Sequence, residues 1–276
     1  MNDVRPVDLP ELRAETIRVS GSSRMSEHWA RLASTSLTTG QSGEAYRQAF
    51  VRGLTEADLY WVSGPMADLT DEGVKTIPEF DLQVEDVPSP HGLIYFTKPI
   101  PFIELDNGRP SPVTLAGLLW TAVPGGDGRA SLAVYALNQH RGALIPLEVV
   151  VLGYGVTVTA WWRVRYVRAL HTVWLLMRQQ LADTRSVEPD RASRKRMRRD
   201  HYEPKAIRVV SLRRPQGAST GGGESSFQHQ WIVRGHWRQH WHPKRQVHRP
   251  VWIAPHVKGP EGAPMIGGEK VYAWKK

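Results

Sequence analysis

The chain has 276 residues, 41% of them hydrophobic and 23% charged, a composition that excludes a disordered protein and suffices for one large domain or two small ones. It contains no cysteine, which excludes disulfide scaffolds, thiolate zinc sites, iron–sulfur clusters and cysteine nucleophiles. The net charge of +9 is unevenly spread: residues 1–190 sum to −5 and residues 191–276 to +14. A positive field so concentrated attracts polyanions, nucleic acid first and an acidic protein surface second.

In chain order, the N-terminal segment mixes acids and prolines without an apolar signal core, and the longest apolar run, 144–158, is broken by Pro146, Glu148, Gly153 and Gly155. A cytoplasmic protein without a membrane partner is therefore expected. Ser26 is placed to cap a short helix through Trp29 and Leu32. Tyr46, Phe50, Val51 and Leu54 recur at helical spacing until Gly64-Pro65 breaks the pattern, and a weakly patterned acidic stretch covers 68–86. From Pro88 the texture is that of strands: 93–96, 101–105 ending at the turn Asp106-Asn107-Gly108, 115–123, 132–137 and 147–162. These predict an antiparallel sheet with helices against one face. Residues 163–181 return to helical periodicity through Val167, Leu170, Val173, Trp174, Met177 and Leu181. The densest charge run follows, Arg191-Ala-Ser-Arg-Lys-Arg-Met-Arg-Arg, then a strand over 208–214 and a Gly/Ser-rich loop over 216–226. That loop lacks the Gly-Lys-Ser/Thr ending of a phosphate-binding loop.

The most distinctive stretch is 230–259. As a strand, its odd positions present Trp231, Val233, Gly235, Trp237, Gln239 and Trp241, an apolar face read as core. Its even positions present Ile232, Arg234, His236, Arg238, His240 and His242, a cationic and titratable face. With a turn over 243–250 and a second strand behind it, Arg234, His236, Arg238, Trp252, His256 and Lys258 are expected to share one face. Such a face suits polyanion binding, with Arg234, Arg238 and Lys258 on phosphates and Trp252 stacking on unpaired bases. It equally suits metal-independent ribonuclease chemistry, with His236 and His256 as general base and acid. A metal site on His236, His240 and His242 is not expected, because one strand advances about 3.3 Å per residue and no nearby carboxylate completes the set. The plain alternative is a buried, hydrogen-bonded structural role for Arg234 and His236. The 191–199 run offers Arg194, Lys195, Arg196, Arg198 and Arg199 as a further nucleic-acid contact or as a solvated helix face.

The segments Leu-Ile-Tyr-Phe (93–96), Arg-Val-Val-Ser-Leu-Arg-Arg (208–214), Trp-Ile-Val-Arg-Gly-His-Trp-Arg (231–238) and Trp-Ile-Ala-Pro-His-Val-Lys-Gly (252–259) resemble uncharacterised proteins of actinobacteria, their phages and mobile elements. The pair Arg-Gly-His-Trp-Arg and Pro-His-Val-Lys-Gly also resembles the C-terminal domain of an anti-CRISPR family that acts on the translating message of a type V CRISPR nuclease. The resemblance covers about the last quarter of the chain. It singles out Arg234, Gly235, His236, Arg238, His256, Lys258 and Gly259, with Gly235 and Gly259 in structural roles, and implies RNA as partner, with a ribosome or nascent chain nearby.

The expectation is thus an α+β protein divided into an N-terminal helical region (1–87), a sheet with a long helix (88–185), a basic linker or helix (186–206) and a basic β module (207–276). Its expected function is RNA binding, in an anti-defence or defence setting and without a cofactor. The alternatives are a DNA-binding phage or plasmid regulator that uses the 191–199 run as a groove helix, and a protein–protein inhibitor without nucleic-acid chemistry.

Overall fold

The computed structural model describes residues 4–20, 22, 25, 29–30, 43–106, 109–124, 130–138, 143–153, 161–199, 202–213, 231–243 and 246–258. The chain divides into two units, 1–213 and 214–276.

The first unit begins with a single 3₁₀ turn, Pro6–Asp8, closed by the Arg5 amide and guanidinium donating to the Asp8 carboxylate. It runs into α1 (Leu9–Ser20). Next, α2 (Gly43–Glu56) buries Phe50 and Leu54, four residues apart, and leads into β1 (Asp58–Val62). Where Gly64-Pro65 was expected to end a helix, it begins one: α3 (Gly64–Thr76) carries proline in its first turn, where no intrahelical N–H is needed. Met66, Ala67, Thr70, Gly73 and Val74 then form its buried stripe, in a stretch read from sequence as unpatterned.

The expected strands 93–96 and 101–105 are one long strand, β2 (His91–Asp106), whose pairing shifts register between Tyr95 and Ile100. It pairs with β3 (Arg109–Pro124), the ladder closing at Asp106↔Arg109 around Asn107-Gly108. Then come β4 (Ala130–Asn138) and β5 (Ala143–Val151). The helix expected over 163–181 is α4 (Trp161–Met177), so Leu181 falls beyond it and Trp161 and Trp162 begin it instead of ending a strand. It is followed by β6 (Ala182–Val187), α5 (Arg191–Arg199) and β7 (Ile207–Leu212). The proposed cap at Ser26, Leu32, and the loop 216–226 lie outside the described residues.

The unit is α+β, built on a seven-stranded sheet of order β5-β4-β3-β2-β1-β7-β6. The sheet is mixed and not wholly antiparallel, because β1 inserts parallel to both β2 and β7. The chain crosses from β1 to β2 through α3, the helical connection that a parallel pair requires. Because β1 and β2 pair, no boundary falls at 87. Because β7 lies between β1 and β6, residues 207–212 belong to this unit and not to the basic module.

Helices cover both faces of the sheet, not one. On one face Leu59, Leu93, Tyr95, Leu119 and Tyr135 pack with Phe50 and Leu54 of α2. On the other, Trp120 meets Tyr60 at 5.7 Å and Trp174 of α4 edge-on at 5.0 Å. The Trp120 ring lies over Gly92, its cross-strand partner, where a Cβ would sit 2.1 Å from the indole. Only glycine fits beneath that ring.

Among the described residues no helix is long and apolar enough to cross a membrane.

Candidate nucleic-acid interface

The second unit is built on a β-ribbon. Strand β9 (His236–His242) pairs antiparallel with β10 (Val247–Ile253), and β8 (Trp231–Val233) with β11 (His256–Lys258). The pairs His236↔Ile253 and Val233↔His256 keep one register across the interruption at 234–235 and 254–255. The chain reverses between His242 and Val247, with Gln246 at φ 51° just before β10. The second strand thus starts at Val247, inside the stretch expected to be turn.

This register decides which side chains share a face, since residues directly opposite in an antiparallel pair point the same way. His236, Arg238, His240 and His242 of β9 share a face with Arg249 of β10, together with Val247, Val251 and Ile253. The ring centroids of His240 and His242 are 5.4 Å apart. Trp237, Gln239 and Trp241 share the other face with His248, Pro250 and Trp252. No aspartate or glutamate occurs between residues 225 and 260. The cationic face therefore has no acid within its own segment to neutralise it.

Trp252 is consequently not on the face with Arg238, as expected, but on the opposite one. It is 5% exposed and lies edge-on to its cross-strand partner Trp237, ring centroids 5.3 Å apart at 70°. A Cβ on Gly235 would come within 2.5 Å of its ring and 3.1 Å of Pro255 Cδ. This packing holds the ribbon together and leaves Trp252 no open face for a base. The exposed indole is that of Trp241, at 45%, with the His248 ring 4.9 Å away. Its odd position in an alternating strand placed it in the expected core. Its location one residue from the turn, beyond the Trp237–Trp252 contact, is what exposes it.

His236 and His256 are both exposed, and each begins a strand after an interruption. The His236 ring donates from Nδ1 to the Arg234 carbonyl at 3.0 Å, and the His256 ring from Nδ1 to the Ala254 carbonyl at 3.1 Å. A carbonyl only accepts, so both rings carry the proton on Nδ1 when neutral, with Nε2 as acceptor. The two histidines are not opposite one another: His256 faces Val233, three residues from His236, about 10 Å along the strand. Arg234 and Lys258 are exposed as well, but in the β8/β11 ladder His256 and Lys258 stand opposite Val233 and Trp231, the odd positions of the alternation, and not on the row of His236 and Arg238 as expected; Gly259 lies outside the described residues. Among the described residues no three histidine or carboxylate side chains converge on a point.

The 191–199 run is a helix, α5, in the first unit. Asp190 caps it, its carboxylate accepting the Ser193 amide at 2.6 Å, and this bond holds the carboxyl below its ordinary range. Ser193 and Met197 are buried, while Arg191, Arg194, Lys195, Arg196, Arg198 and Arg199 are exposed. Arg196 pairs with Glu11 of α1 at 3.2 Å. The helix thus carries a second cationic surface.

One polar cluster has no counterpart in the sequence reading. His91, at the start of β2, lies 3.3 Å through Nε2 from Glu56 and 2.6 Å through Nδ1 from the Thr121 hydroxyl. Burial pushes the His91 imidazole below its ordinary value, Glu56 opposes that shift, and Arg52 and Lys205 reinforce it. Beside it, Arg208 pairs with Asp58 at 3.2 Å and donates to the Tyr60 hydroxyl at 2.6 Å. The order carboxylate–imidazole–hydroxyl is that of a catalytic triad, but Thr121 is completely buried and no substrate reaches its oxygen. The cluster instead ties α2, β1, β2, β3 and β7 together at one end of the sheet.

No known protein family, curated protein or solved structure matches this chain.

Proposed function

We propose that the chain binds single-stranded RNA through the β8–β11 ribbon. The observation that carries this reading is the β9/β10 register, which gathers His236, Arg238, His240, His242 and Arg249 on one face in a segment free of acids. Phosphates are held by such a row through charge, in a manner indifferent to sequence. Trp241, on the opposite face but exposed near the turn, offers a stacking surface to an unpaired base of a strand that rounds the end of the ribbon. Arg234 extends the contact into the interruption, Lys258 adds an exposed cation on the β8/β11 pair, and α5 adds an independent cationic surface through Arg194, Lys195, Arg196, Arg198 and Arg199.

The resemblance of the ribbon's two motifs to a family acting on a translating message favours RNA over DNA. It also supplies the setting: a phage or mobile-element protein acting in the cytoplasm near the ribosome. Cleavage is not part of this reading, because an acid–base pair acting in line on one phosphate must flank it closely, and His236 and His256 begin different rungs of the ladder.

The test is a titration of the full-length protein with a single-stranded oligoribonucleotide, followed by tryptophan fluorescence at several salt concentrations and repeated with the corresponding duplex. Single-strand binding that quenches Trp241 and weakens steeply with salt supports the reading. Equal affinity for the duplex without quenching supports a groove-binding regulator, and no binding turns the search to a protein partner.

A further inference from the structure

Between α1 and α5 lies a cavity of about 550 Å³, within the size range of small-molecule sites. Its wall combines three kinds of surface: Ile17 and Met197 are apolar, Tyr202 is aromatic, and Arg18, Arg196 and Arg199 are cationic. Glu11 and Glu15 also line it, paired with Arg196 and Arg18. Both pairs are solvent-exposed, and exposed pairs open at little energetic penalty.

A second observation comes from behind this wall. Arg13, one residue before the cavity-lining Ala14, is completely buried. Its guanidinium lies 5.5 Å from the centroid of the Tyr202 ring and donates one long bond, 3.4 Å, to the Thr55 carbonyl near the end of α2. Among the described residues its Nε and second terminal nitrogen have no hydrogen-bond partner and no carboxylate faces it. Desolvation accordingly lowers its pKa from the ordinary arginine value. A buried guanidinium is normally paired bidentately with a carboxylate or phosphate, because an uncompensated buried charge is strongly unfavourable. Among the described residues, the Tyr202 ring and the partial negative charge at the α2 C-terminus are what compensate it. The Tyr202 ring belongs both to the cavity wall and to the Arg13 contact, so Arg13 adds to the positive potential of that wall, and a phosphate held on the neighbouring arginine rim supplies part of the missing counter-charge at longer range.

We propose that this cavity binds a nucleoside monophosphate, with the phosphate on the Arg18/Arg196/Arg199 rim and the base against Tyr202. The mixed wall fits that chemistry: cationic donors for phosphate, an aromatic face and apolar carbons for the base, and Glu11 and Glu15 as acceptors for exocyclic amino groups. The site lies wholly within the first unit and is independent of RNA binding by the ribbon.

The experiment is calorimetric titration of the full-length protein with adenosine 5′-monophosphate, beside adenosine and inorganic phosphate as separate ligands. Arg196→Gln is expected to weaken monophosphate binding by about tenfold, the loss of one charge-assisted contact. Arg13→Met separates a ligand role from a structural one. It is expected to weaken binding similarly while leaving the thermal midpoint of the free protein unchanged or raised, since it removes an uncompensated charge. Arg238→Ala, on the ribbon, is expected to bind the monophosphate as the parent does. The proposal is overturned by no saturable binding, by inorganic phosphate binding as tightly as the monophosphate, by unchanged affinity in Arg196→Gln and Arg13→Met, or by a lowered midpoint in Arg13→Met with affinity retained.

Discussion

Gly235 lies against the indole of Trp252, with room for a hydrogen and none for a methyl group: an added Cβ would stand 2.5 Å from Cζ2. Gly235→Ala must therefore displace Trp252 from its edge-on contact with Trp237 or bend the ribbon. The expected destabilisation of the ribbon is about 1–3 kcal/mol, typical of overpacking. Near-ultraviolet circular dichroism of the coupled indoles follows it; an unchanged spectrum and unfolding profile would show that the backbone absorbs the methyl group.

Two of the three tryptophans on the face opposite Arg238, Trp241 and Trp252, have separable roles. Trp241→Ala is expected to leave the fold intact and weaken single-stranded RNA binding by about 1–3 kcal/mol, the contribution of one stacked base. Trp252→Ala is expected to disrupt the ribbon itself, since among its described residues Trp252 is the buried apolar side chain. Far-ultraviolet circular dichroism beside a binding titration distinguishes the two. Equal binding loss with intact structure in both variants contradicts the assignment.

His91 makes the stability of the first unit depend on pH. Its folded-state pKa is lowered from 6.5 by burial, so the unfolded chain binds a proton more readily than the folded one. The sign is fixed by that difference: the contribution is fully present above about pH 6.5 and is lost as pH falls towards and through the lowered value. Urea midpoints measured across pH 5 to 8 are expected to fall on acidification, and His91→Gln, which keeps a hydrogen-bonding side chain, is expected to flatten that fall. An identical pH profile in the variant removes His91 as the cause.

The bound RNA is expected to stay intact. Incubation with the protein across pH 5 to 8, followed by denaturing electrophoresis, should give undegraded strands. Cleavage that is lost in His236→Asn and in His256→Asn singly would instead establish the acid–base pair.

Most of the strands were legible in the sequence; their partners were less so. The alternation of Trp231, Val233, Trp237 and Trp241 with Arg234, His236, Arg238 and His240 announces a two-faced ribbon, because strand geometry alone fixes that period. The register is another matter. The second strand starts at Val247, four residues earlier than expected, which brings Arg249 into the ladder on the cationic face; the pairing sets even positions of one strand opposite odd positions of the other, Trp252 opposite Trp237, so Trp252 lies on the far face. Turn length is set by cross-strand packing, here Trp237 on Trp252, which no local pattern encodes. The same holds for β1, a five-residue strand wedged between β2 and β7 by contacts more than thirty residues away. It also holds for α3, where proline marks a first turn as readily as a break. The Arg-rich helix at 191–199 was readable as a cationic surface; its place beside α1, with Arg196 on Glu11, was not.

In the proposed function the face carrying Arg238 grips phosphates, and the decisive measurement is single-stranded RNA affinity as a function of salt for the parent and for Arg238→Ala. The parent is expected to show a steep decline of affinity with salt, and the variant weaker binding with the log–log slope reduced by about 0.7, one phosphate contact. Parent and variant with the same affinity and the same slope would contradict it.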